Sequence, residues 1–172
     1  MKSIERIRKL AEELNIQLQP MGTDGFWVQE GSTFIHIAFD VINKEKNLEM
    51  VCIWSRVVIA PRVDELLLKK LMMLNADLNF GSFGLTEDNT IIYKYNILGG
   101  EHVDSEEFFN ALLMVATIAD EYDNKIISTH GGQTAVDFLD AETAARDSQR
   151  PFVQLLEAQW ELLVHSEPSV LD

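Results

Sequence analysis

Histidines and one cysteine are the residues of this sequence most able to serve catalysis or metal binding. The four histidines lie far apart along the chain: His36, His102, His130 and His165. Metal sites need clustered ligands, so the sequence predicts no metal centre and no cofactor. His36 alternates with the apolar residues of a predicted strand, and we expect it on the surface. Cys52 lies in an apolar strand without a neighbouring cation to lower its pKa, so we interpret it as a structural thiol.

Two other patterns are weak signals of chemistry. The glycine pair around Ser82, at Gly81 and Gly84, lacks the Gly-x-Ser-x-Gly spacing of a nucleophile elbow and is explained by a helix-to-strand corner. The carboxylates at 120, 121 and 123 lie near the predicted end of a helix, where negative charge opposes the helix dipole, so a functional or partner-binding reason stays open. Neither pattern specifies a reaction, and the sequence predicts a protein that is not an enzyme.

The periodicity of apolar residues predicts the elements that would hold any site. Residues 3 to 15 have helical spacing, and alternating strands follow to about residue 60. Asp64 caps a helix to about Leu78, a hairpin turns at Asp88-Asn89, and Asp104 opens a helix to about Ile127. This order, α-βββ-α-ββ-α, predicts an α+β fold in which helices pack on an antiparallel sheet of about five strands.

Two predicted elements carry more apolar residues than one core contact requires. The strand over residues 48–60 is apolar on both faces, and the helix after Asp64 is apolar over more than half its circumference. We predict protein-binding anchors on the strand and its neighbour at Phe26, Trp27, Met50, Trp54 and Val58. We predict a dimer interface on the helix at Leu67, Met72 and Met73.

The character of the chain changes after Ile127. A linker is predicted over residues 128–132, followed by an acidic extension with two short helices, Ala135 to Ala145 and Phe152 to about Val164. The second of these has an apolar stripe of helical spacing, formed by Phe152, Leu155, Leu156, Trp160 and Leu163. We therefore divide the chain into a domain over 1–127 and a helical extension over 128–172, which docks on its own chain or on another.

Composition narrows the class of partner. The chain has 172 residues, with 28 acidic against 14 basic residues and a formal net charge of -14. Such a surface repels phosphate backbones, which argues against nucleic acid. Apolar runs do not reach the roughly 18 residues of a membrane span, and a lone cysteine fits a reducing compartment, so we expect a cytoplasmic protein without a membrane partner.

The order of elements and three local patterns resemble the YbjN family of the type III secretion chaperone-like superfamily. The patterns are the run over residues 71–79 (LMMLNADLN), the run over 80–85 (FGSFGL), and Ile92-Tyr93-Lys94-Tyr95 before a helix that ends at residues 119–123 (ADEYD). The resemblance covers roughly residues 1 to 127. It implies a small acidic cytoplasmic protein without catalytic residues, often a homodimer, that binds partner segments along sheet edges and apolar grooves. The long extension departs from dedicated secretion chaperones.

Three hypotheses follow. The first is a non-enzymatic protein-binding or regulatory module, with another protein or its own copy as partner. The second is a small-ligand binder or enzyme of unknown chemistry that uses His102 or the carboxylates of Asp120 to Asp123, which requires a concave pocket with a perturbed group. The third is a regulatory domain whose acidic extension mimics nucleic acid.

Overall fold

A computed structural model describes residues 2–31 and 33–139 of the chain. The elements are α1 (Lys2–Glu13), β1 (Gln19–Met21), β2 (Gly25–Glu30), β3 (Thr33–Asn43), β4 (Leu48–Val58), α2 (Glu65–Asp77), β5 (Ser82–Leu85), β6 (Ile91–Leu98) and α3 (Ser105–His130). The strands form one sheet in the order β1-β2-β3-β4-β6-β5, and each neighbouring pair is antiparallel. The predicted α+β class and helix-on-sheet arrangement are confirmed.

The inner face of the sheet carries the hydrophobic core. Alternate residues of the central strands, such as Ile37, Ile53 and Tyr93, pack with α1 and α3, whose Leu10 and Phe108 are fully buried. Burial of such a side chain contributes about 1.5–3 kcal/mol to folding. The helices α1 and α3 thus cover one face of the sheet.

Three boundaries differ from the predictions. The sheet has a sixth, three-residue strand, β1, at Pro20, where the sequence indicates only a chain break. The strand predicted to Ala60 ends at Val58, and Ile59 instead forms an isolated bridge to Gln133. Helix α3 runs to His130, past the predicted end near Ile127, so the first residues of the predicted linker are helical. Gly131, at φ 69, ends the helix, and its N–H donates to the Ile127 carbonyl.

A carboxylate on the sheet holds the start of α1. Glu49 of β4 is 8% exposed and accepts hydrogen bonds from the backbone N–H of Lys2 (3.2 Å) and Ser3 (2.8 Å) and from the Ser3 hydroxyl. Burial opposes ionisation of this carboxyl, but the Ser3 hydrogen bonds outweigh it and leave the pKa of Glu49 lowered. An anion at a helix N-terminus is favourable, so Glu49 fixes α1 against the sheet.

Candidate functional site

The face of the sheet opposite α1 and α3 carries a second set of side chains, which we call the outer sheet face. Cross-strand partners in an antiparallel sheet point to the same side, and the register places His36 opposite both Trp27 and Trp54, and Met50 opposite Leu98. The outer sheet face includes Trp27, Phe34, His36, Ala38, Asp40, Met50, Cys52, Trp54, Arg56, Ile92, Lys94, Asn96 and Leu98. Several of these side chains are large and apolar, as a recognition surface requires.

The centre of this face is closed to water. His36 and Trp54 stack with ring centroids 4.2 Å apart, and they are 3% and 6% exposed. The His36 Nδ1 lies 3.4 Å from the Met21 sulfur, and the Arg56 guanidinium lies 5.9 Å from the Trp54 ring centroid. The prediction that His36 is a surface residue is therefore wrong. It assumed that the strand is half-buried, whereas both of its faces are covered at this point.

Burial decides the protonation of His36. Desolvation, with a smaller contribution from the nearby Arg56 charge, lowers the pKa of His36 to about 3. The imidazole is consequently neutral at physiological pH, and it acts as an aromatic surface for Trp54 rather than as a base. The burial of His36 follows from its position opposite Trp54 on the neighbouring strand. That pairing depends on the register of β3 with β4, which the sequence does not specify.

One end of the outer sheet face is open to solvent. Leu98 is 65% exposed and pairs with Met50, which is half-buried, while Leu48 at the start of β4 is 37% exposed. These three side chains continue from the Trp54 stack toward the edge of the molecule. An exposed group of large apolar side chains next to aromatic residues is typical of a protein-binding surface.

Cys52 lies between the open and the closed parts of this face. Its thiol is half-buried, and desolvation raises the pKa of Cys52 despite the opposing effect of the Lys94 charge and hydrogen bond. The expectation that Cys52 has no neighbouring cation is therefore wrong, but burial outweighs the effect of Lys94. A thiol whose pKa is raised by burial is a poor nucleophile, in agreement with the structural role expected from the sequence.

The five predicted anchors divide between the two faces of the sheet. Trp27, Met50 and Trp54 lie on the outer sheet face. Phe26 is 7% exposed and packs edge-to-face on Phe39 within the core, and Val58 is fully buried. Val58 leaves the outer face because the pairing of β4 with β6 shifts register between Arg56 and Val58, and such a bulge reverses the alternation of side chains.

Helix α2 exposes a second apolar surface. Leu67 is fully buried in the core of its own chain, together with Leu71 on the same side of the helix. The opposite side exposes Leu66 (70%), Met72 (69%) and Met73 (59%), which we call the α2 stripe. The structure thus places two of the three predicted interface residues, Met72 and Met73, at the surface and Leu67 within the core.

The side chain of Asn75 caps one edge of the sheet. Its Oδ1 accepts from the backbone N–H of Phe83 (2.7 Å) and its Nδ2 donates to the Phe83 carbonyl (3.0 Å), on the side of β5 away from β6. The amide thereby replaces one residue of a neighbouring strand. This role of Asn75 is not evident from the sequence, because it depends on the approach of α2 to β5. At the opposite edge, β1 covers only Gly25 to Trp27 of β2.

We expect that replacing the Asn75 amide destabilises the protein. Asn75→Asp keeps an acceptor but places a carboxylate against the Phe83 carbonyl, and the lost bond and repulsion should cost about 1–3 kcal/mol. The measurement is the free energy of unfolding in urea. The control is Asn79→Asp, which makes the same change at an exposed position just beyond α2. Equal losses in the two variants would contradict the capping role of Asn75.

The residues considered for catalysis lie apart. His102 is exposed and lies 3.7 Å from Glu101 just before α3, whereas Asp123 is further along that helix, about 27 Å from its start. Asp123 is 5% exposed, and burial is the main reason that its pKa is raised. The His130 Nε2 lies 3.5 Å from the Asp64 carboxylate, a contact that joins the end of α3 to the start of α2. His165 lies outside the described residues.

Two further observations concern residues 2–31 and 33–139. Within these ranges, groups of three or more His, Cys, Asp or Glu side chains in an arrangement that could hold a metal ion do not occur. None of the helices in the same ranges is both long enough and apolar enough to cross a membrane.

Comparisons with known proteins agree on one relationship. A family model described as TY-Chap1, the T3SS (YopN, CesT) and YbjN peptide-binding chaperone 1, matches residues 6–138. The crystal structure of YbjN from E. coli, a candidate transcription regulator, superimposes with a TM-score of 0.53 at 11% sequence identity, covering 71% of this chain and 92% of that chain. At this identity the superposition indicates a shared fold. Among curated proteins, none matches the sequence.

Proposed function

Because the chain belongs to the TY-Chap1 family of type III secretion and YbjN peptide-binding chaperones, we propose that it is a non-enzymatic module that binds segments of partner proteins. The observation that carries this proposal is the outer sheet face, where Leu98 and Met50 form an open apolar surface beside the Trp54 stack. We propose Met50, Trp54 and Trp27 as anchors for apolar side chains of a bound segment.

The two edges of the sheet differ in their suitability for pairing with a bound segment. Asn75 occupies backbone groups at the β5 edge, which opposes the addition of a strand there. The β2 edge beyond Trp27 is the better site for strand addition, because β1 pairs only with the first part of β2. A segment that pairs with this edge could place alternate side chains on the outer sheet face.

The test uses peptides selected from a random displayed library on the full-length protein, with binding then measured by fluorescence anisotropy. We expect selected peptides to carry alternating apolar residues and Leu98→Lys to weaken their binding about tenfold or more, because a charge replaces apolar contact. The control is Leu113→Lys, which makes the same change on α3 at a leucine that is 51% exposed. A loss of binding in Leu113→Lys but not in Leu98→Lys would contradict the proposed site. Failure to select any peptide would contradict the function.

We further propose a homodimer through the α2 stripe. Leu66, Met72 and Met73 lie together on the exposed side of a helix whose other side is anchored in the core by Leu67 and Leu71. Methionine is common at interfaces, and exposed apolar side chains in this number are costly unless a partner covers them.

Met73→Lys should convert a dimer into a monomer, because it would place one charge from each protomer in an apolar contact. The measurement is light scattering coupled to size-exclusion chromatography, with Leu113→Lys as the variant expected to remain dimeric. A wild-type protein that is monomeric at high concentration would exclude the dimer. The cytoplasmic location and a regulatory role stay proposals that rest on the sequence.

A further inference from the structure

The low exposure of His36 and Trp54 points to a layer over the outer sheet face in addition to their contacts with Met21 and Arg56. Both residues lie on central strands, and α1 and α3 pack against the other side of the sheet. Side chains on an uncovered sheet face keep water on their outer surface, yet His36 and Trp54 are 3% and 6% exposed. By contrast, Leu98 on the same face is 65% exposed. The face is thus closed at its centre and open at one end.

We propose that residues 152–164 of the same chain dock on the outer sheet face, over Trp54 and His36, and compete there with partner segments. The docking itself is independent of the proposed function, and only the competition rests on it. The extension acts as an internal ligand, and a partner that enters at Leu98 displaces it.

The residues just before the extension lie next to the end of β4, the strand that carries Trp54. The backbone of Gln133 exchanges two hydrogen bonds with Ile59, of 2.9 and 3.1 Å, immediately after β4. A Cβ at Gly132 would lie 2.6 Å from the Val58 side chain, so the chain runs tightly against the end of this strand. Trp54 is only five residues before Ile59. From Leu139, residues 140–151 can span up to about 40 Å, more than enough to reach the face.

The composition of the extension complements that of the face. Its apolar stripe presents large side chains for the surface around Trp54: Phe152, Leu155, Leu156, Trp160 and Leu163. From residue 140 onward the acidic residues are Asp140, Glu142, Asp147, Glu157, Glu161, Glu167 and Asp172, against Arg146 and Arg150. The outer sheet face contributes the cations Arg56 and Lys94 and one carboxylate, Asp40. The outer sheet face is therefore slightly positive and the extension is negative. This charge complementarity around an apolar contact favours docking of the extension on the face.

Cys52 provides a direct measurement, because it is the single cysteine of the chain and lies on the outer sheet face. We expect it to react slowly with a bulky maleimide in the native full-length protein. Leu155→Glu with Leu163→Glu places two charges on the stripe and should raise the labelling rate tenfold or more. Gln154→Glu with Ala158→Glu adds the same charge on the other side of the predicted helix and should leave the rate unchanged. Equal rates in wild type and the stripe variant would overturn the proposal.

A synthetic peptide of residues 150–166 separates release of the extension from a general loss of structure. Added to the stripe variant, it should restore slow labelling, whereas a scrambled peptide should not. Failure of the native peptide to protect would overturn the proposal. Docking within one chain also predicts a wild-type rate that is independent of protein concentration, and a rate that rises on dilution would instead indicate docking between chains. These measurements need no partner, so the docking can fail while peptide selection succeeds, and the reverse.

Discussion

Lowering the pH from 7 to 5 should reduce the free energy of unfolding by about 2 kcal/mol through His36 alone. The pKa of His36 is lowered from 6.5 to about 3 by desolvation and the Arg56 charge. In the unfolded chain His36 is therefore protonated near pH 6.5, whereas in the folded protein it is protonated only near pH 3. The contribution of His36 to the free energy of unfolding is fully present above pH 6.5. It decreases by about 1.4 kcal/mol per pH unit as the pH falls from 6.5 toward 3.

The measurement compares urea unfolding at pH 7 and pH 5 for wild type, His36→Gln and His102→Gln. His36→Gln should remove about 2 kcal/mol of the pH dependence, whatever its stability at pH 7. His102→Gln should follow the wild type, because the side chain of His102 is 93% exposed. If His36→Gln retains the full wild-type pH dependence, His36 is not the group responsible.

Gly81→Ala should destabilise the protein by about 2–4 kcal/mol, through left-handed backbone strain and steric overlap together. Gly81 has φ +66, and a Cβ there would lie 2.5 Å from the Tyr93 hydroxyl and 2.8 Å from the Lys94 carbonyl. Tyr93 is fully buried and its hydroxyl donates to the Phe80 carbonyl at 2.5 Å, so it has little freedom to move. The added methyl group would push β5 away from β6.

The matched control is Gly22→Ala. Gly22 has φ +57, and a Cβ there would meet nothing within 4 Å, so this variant carries only the backbone cost of about 1–2 kcal/mol. Both variants are compared by the free energy of unfolding in urea. The difference between them isolates the overlap with Tyr93 and the β6 backbone. A loss in Gly81→Ala no larger than in Gly22→Ala would show that β5 can shift without cost.

The two proposed surfaces lie on different elements of the fold. The α2 stripe faces away from the core contact at Leu67, and the outer sheet face lies opposite α1 and α3.

The amino-acid sequence by itself determined the class and order of the elements. Apolar periodicity and capping residues are local properties, and they place α2 after Asp64 and α3 after Asp104, where the structure has them. The local runs around Phe80 to Leu85 also sufficed to indicate the family, which the match over residues 6–138 confirms. The α+β fold class could therefore be predicted without knowledge of any contact between distant residues.

Only the tertiary structure decided which apolar residues are available to a partner. Strand alternation predicted Val58 on the face of Trp54, but the bulge after Arg56 turned it into the core. Helical spacing marked Leu67 and Met73 alike, and the direction from which the core approaches α2 buried the first and exposed the second. His36 and Asn75 acquired their roles from residues on other elements, Trp54 and Phe83. Periodicity reports that a side chain is apolar, whereas register and packing determine what it touches.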